Sequence, residues 1–123
     1  MSKIHVILID PKPAPRLTQN NLWTPLAKKY MKWKHDFKIL CLKSGLPKNF
    51  GKVKISFHIA MPKSWSITRK KYYAGTPHLQ RPDIDNLFKS VCDAWFDEDG
   101  LVYEIHAQKL WSIGNGKIEI EVL

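Results

Sequence analysis

A short amphipathic helix entered through two carboxylates constrains this chain more than any other stretch. Ile84, Leu87, Phe88, Val91, Cys92 and Trp95 recur at helical spacing. They predict a helix over residues 83–96 whose apolar face must pack against another layer. Its entrance reads Arg81-Pro82-Asp83-Ile84-Asp85-Asn86-Leu87-Phe88-Lys89. Asp at a helix start can accept from orphan backbone N–H groups and suits the positive end of the dipole. One reading is therefore local: Asp83 caps the helix, and Asp85 pairs with Lys89 one turn on. The other is a hard-cation site, because Mg2+ takes oxygen ligands and needs only one or two protein carboxylates besides water and a substrate phosphate.

Charge separates the two readings. Residues 1–80 hold 16 Lys and Arg against two acids, Asp10 and Asp36, whereas residues 81–123 hold four Lys and Arg against nine acids. A basic first two-thirds favours a polyanion. Acids gathered near one motif would repel that polyanion unless a cation sits between them, so the combination points to a metal-dependent enzyme acting on nucleic acid. With 123 residues there is room for one modest core, and we expect a single domain over residues 1–123. Two cysteines, Cys41 and Cys92, make no disulfide framework, and Cys92 falls on the apolar helix face as a reduced thiol. The apolar run at residues 4–9 is too short for a signal peptide or a membrane span, so a cytoplasmic protein without membrane contact is expected.

The remaining elements follow from local pattern. Residues 4–9 read as a buried strand. Pro11, Pro13 and Pro15 then hold an extended arm that displays Lys12 and Arg16. Thr24 and Pro25 open a helix that runs to Ser44 and Gly45, with Leu26, Tyr30, Trp33, Phe37, Leu40 and Cys41 as its apolar stripe and lysines on the other faces. Residues 52–60 alternate cleanly, placing Val53, Ile55, Phe57 and Ile59 inward and His58 on the polar, solvent-facing side. A long connection follows, in which Ser64 or Ser66 can cap a short helix carrying Arg69, Lys70, Lys71, Tyr72 and Tyr73. Basic and aromatic residues interleaved before the carboxylates suit a segment that folds onto DNA. Residues 97–100 form an acidic turn, residues 101–111 a strand that can return to the beginning of the central helix, residues 112–116 a hairpin-like turn, and residues 117–122 a last strand.

This order of pieces resembles the RusA-type crossover junction endodeoxyribonucleases, small Holliday junction resolvases often carried by phages and prophages. The resemblance runs from the Lys12-Pro13-Ala14-Pro15-Arg16 arm, through Met61-Pro62 and the basic segment, to the Pro82-Asp83-Ile84-Asp85-Asn86-Leu87-Phe88-Lys89 run, and closes with Asp99, Val102 and Lys109. It implies an α/β (α+β) domain with a mixed sheet of about four strands packed with two main helices. It also implies a homodimer, a four-way DNA junction as partner, Mg2+ or Mn2+ as cofactor and no small-molecule cofactor. Asp83, Asp85 and Asp99 correspond to the metal-binding acids, with Asp97 or Glu98 as alternatives to Asp99. Lys89 corresponds to the catalytic lysine, and Lys12, Arg16, Arg69, Lys70 and Lys71 are the expected DNA contacts. Rival readings are a metal-dependent nuclease for other branched or duplex DNA, and a phage DNA-binding accessory without catalysis.

Overall fold

The computed structural model describes residues 3–16, 22–96 and 99–123, with the side chain of Asp99 outside that description. Helix α1 spans Pro25–Ser44. The Thr24 hydroxyl accepts from the Ala27 N–H at its start, and Gly45 closes it in the left-handed region at φ 77°, where a glycine carries no Cβ penalty. Helix α2 spans Ile67–Tyr73, capped by Ser66, and α3 spans Ile84–Trp95. The strands are β1 at Ile4–Ile7, β2 at Lys52–Ala60, β3 at Glu104–Ser112 and β4 at Lys117–Val122. Among the described residues no helix is long and apolar enough to cross a membrane.

The four strands form one mixed sheet in the order β1-β4-β2-β3. Strand β4 is antiparallel to both neighbours, while β2 and β3 run parallel, as the crossover through α2 and α3 requires. Val53, Ile55 and Phe57 on β2 and Ile118 and Ile120 on β4 turn one face of the sheet toward the helices. Against it pack Tyr30, Trp33, Phe37 and Cys41 from α1 and Leu87, Val91 and Trp95 from α3, all buried. Tyr30, Trp33 and Phe37 stack in series, at 6.3 and 5.1 Å between ring centroids.

Four expectations need correction. Strand β1 is an edge strand of alternating burial, not a buried one: His5 and Ile7 point inward, while Ile4, Val6 and Leu8 are exposed. In α1, Ala27 takes the buried position expected for Leu26, which is exposed, because the stripe follows the sheet surface and not the larger side chain. His58 is not solvent-facing: it is half-buried, with its Nε2 against a carboxylate oxygen of Glu119 on β4. Finally, β3 and β4 are not a hairpin, since β2 lies between them. The outer edge of β3 is already occupied. Gly75 N–H donates to Trp111 O (2.9 Å), Trp111 N–H to Thr76 O (2.9 Å) and His78 N–H to Lys109 O (3.0 Å). That leaves the far edge of β2 for β4, and residues 113–116 cross over the end of β2. Gly116 permits the crossing: its N–H donates to Asp10 Oδ1 at 3.0 Å, and a Cβ there would run into Asp10 and the carbonyl of His58.

Candidate active site

Pro82 ends the approach to α3, and Asp83 occupies the N-cap position in extended backbone, at φ −70° and ψ 144°. Its carbonyl accepts the first helical bond, from Leu87 N–H at 3.1 Å, but its side chain makes no capping bond. Asp85 lies in the first turn. Both residues are exposed, and among the described residues neither carboxylate has a hydrogen-bonding or ionic partner. The local reading of these acids therefore fails on both counts. Asp83 does not cap, and Lys89 turns away from Asp85: its ammonium lies 3.1 Å from Asp93 Oδ2, one turn further along.

Asp93 links this helix to α1. The Tyr30 hydroxyl donates to the same Oδ2 at 3.0 Å. Burial, and then the neighbouring carboxylate, raise the Tyr30 pKa well above the usual phenolic range, so its proton stays in the bond.

Two further contacts hold the helix entrance. The arm lies against it: Ala14 N–H donates to the Asn86 carbonyl at 3.2 Å, and Pro13, Ala14, Arg81, Pro82, Asp83 and Asn86 line one shallow cleft. From the sheet, Lys109 Nζ donates to Gln80 O at 2.7 Å and Pro82 O at 3.0 Å. Strand β3 thus does return to the beginning of α3. The sequence contained a signal for this lysine: Lys109 closes the run of residues on which the family resemblance rests, and it shares one side of β3 with Ile105, Ala107 and Trp111.

The expected cationic residues lie on separate elements. Lys12 borders a cleft against α1, with Lys29, Lys32 and Trp33 on the opposite wall. Arg16, further along the arm, is exposed. Helix α2 buries no residue and is fastened by aromatic stacking: Trp65 packs on Tyr73 and Trp111, and the Arg69 guanidinium lies 4.0 Å from the Trp65 ring centre. Lys70 and Lys71 occupy its last turn. A family profile described as Endodeoxyribonuclease RusA matches residues 9–123. The chain belongs to the RusA endodeoxyribonuclease family. No curated protein sequence matches it.

The RusA assignment leaves the cation site to chemistry. Two exposed carboxylates at one helix entrance, without partners among the described residues, are hard oxygen donors, and such a pair fits Mg2+ or Mn2+. Among the described residues no group of three or more His, Cys, Asp or Glu side chains comes together. The third acid expected from the RusA pattern, Asp99, starts a 3-10 turn at Asp99–Leu101, but its side chain lies outside the described residues, as do Asp97 and Glu98.

Proposed function

We propose that residues 1–123 form one RusA-like endonuclease domain that, as a homodimer, resolves four-way DNA junctions by paired symmetric cleavage. The observation that carries this is the exposed Asp83–Asp85 pair at a helix entrance, whose carboxylates have no partner among the described residues. In this reading Asp83, Asp85 and Asp99 hold Mg2+ or Mn2+. The ion, when bound, activates water and offsets charge on the scissile phosphate.

The other roles belong to the chain itself. Lys89, resting on Asp93, is an exposed ammonium one turn from the carboxylates and can swing to a phosphate oxygen as charge develops there. Lys12 and Arg16 on the arm, and Arg69, Lys70 and Lys71 on α2, bind the backbone of the junction arms. A twofold dimer presents two copies of the site with the symmetry of a junction's paired strands.

The test compares wild-type protein with Asp85→Asn on a labelled synthetic four-way junction in Mg2+, Mn2+ or EDTA, with gel-shift binding in parallel. Paired nicks from the wild type alone, with binding kept by the variant, are expected. Tight binding without cutting in either metal would reduce the carboxylates to a structural role, and equal cutting of linear duplex would remove the junction preference.

A further inference from the structure

Asp83 stands at a cap position without capping, and Pro82 has no N–H to give. The entrance of α3 is thus not held by its own sequence, although the geometry of a two-carboxylate site depends on it. The structure supplies an anchor from outside the helix. Lys109 is half-buried on the helix-facing side of β3, and its ammonium bridges the carbonyls on either side of Arg81, those of Gln80 and Pro82. Its own carbonyl accepts the His78 N–H, so a single residue holds the approach at three points. The partners are all main-chain, so the bridge fixes the path of residues 80–82 whatever side chain stands at 81.

We propose that Lys109 is a positioning residue for the Asp83–Asp85 pair: it sets the two carboxylates for a divalent cation from the sheet side and touches neither cation nor DNA. This rests on the cation-site reading above and deepens it. A lysine that merely filled space on β3 would serve stability alone, with no bearing on cation affinity.

The experiment titrates Mn2+ into the full chain, following free Mn2+ by electron paramagnetic resonance. Amide hydrogen exchange over residues 83–87 and gel-shift binding of a junction in EDTA are recorded on the same samples. Lys109→Met should raise the Mn2+ dissociation constant by about tenfold or more, the usual consequence of losing an outer support of a metal site. Exchange at residues 83–87 should accelerate, while binding in EDTA stays unchanged. Lys109→Arg, which can still donate to both carbonyls, should recover most of the affinity. Wild-type affinity in Lys109→Met overturns the positioning role, whether or not exchange accelerates. Failure of Lys109→Arg to recover any affinity also overturns it. Should Lys109→Met not fold, Lys109→Gln takes its place under the same criterion. A wild-type protein that takes up no Mn2+ overturns the cation site and this role together, an outcome distinct from uptake that is insensitive to residue 109.

Discussion

Tyr30 on α1 and Lys89 on α3 converge on one oxygen, Oδ2 of Asp93, at 3.0 and 3.1 Å. The basic helix and the carboxylate-bearing helix are therefore joined by a polar contact at the rim of an otherwise apolar interface. Removing the acid leaves a buried hydroxyl without its acceptor. Asp93→Ala should cost about 1–2 kcal/mol of stability by urea denaturation, in the range for an unmade bond at a partly buried site. Tyr30→Phe, which removes the hydroxyl and leaves the ring stacking in place, should cost less.

Lys89 itself contributes little to the fold, since an exposed i, i+4 pair is worth only a few tenths of a kcal/mol. Lys89→Ala should leave the unfolding midpoint nearly unchanged. Single-turnover junction cleavage should nevertheless fall by roughly a hundredfold or more, as for loss of one donor to a charged transition state. Junction affinity should hold. Matching losses in cleavage and binding would count against a chemical role for this lysine.

The two helix starts offer an internal control. Thr24 makes its capping bond at 3.2 Å, whereas the Asp83 side chain makes none. Thr24→Ala should destabilise the protein by about 1 kcal/mol. Asp83→Ala should change the unfolding midpoint by much less and abolish cleavage. A full capping penalty at both positions would mean that Asp83 is structural.

His78 is buried against Trp111, with 4.3 Å between ring centroids. Burial, then the nearby Lys109 ammonium, hold its pKa below the ordinary value of 6.5. The unfolded chain therefore takes up this proton at a higher pH than the folded one. The associated stability is fully present above about pH 6.5 and is lost as the pH falls from there toward the folded pKa. Urea midpoints of wild type and His78→Phe, compared across that range, should diverge as the solution is acidified, with the wild type losing more.

Cys41 gives the opposite slope. Burial pushes its thiol up from 9.0 to about 12, so the folded chain keeps a proton that the unfolded chain releases. Its stability contribution is complete below pH 9.0 and lost as the pH rises toward about 12. Cys41→Ala should flatten that part of the wild-type profile, and the native thiol should resist a disulfide reagent until the protein unfolds.

Local pattern was enough for the elements. The Thr24-Pro25 start, the alternation over β2 and β4 and the apolar spacing from Ile84 to Trp95 each reflect short-range sterics and a single buried face, which neighbouring residues encode by themselves. The acid pair and its place at a helix entrance were legible for the same reason. Partner choice was not, because it depends on which edges and donors remain free after the chain has packed. β4 takes the far side of β2 since residues 75–78 occupy the edge of β3. Ile4 and Val6 stay exposed since, among the described residues, no helix covers that face of β1. Lys89 sits equally far along the helix from Asp85 and Asp93, and residue spacing alone does not choose between them. Tyr30, 63 positions away in the chain, meets Asp93 across the helix interface and makes that carboxylate the shared acceptor. Lys109 reaches the carbonyls of Gln80 and Pro82 only because the parallel crossover returns β3 beside the start of α3, a closeness set by the sheet and absent from any local stretch of sequence.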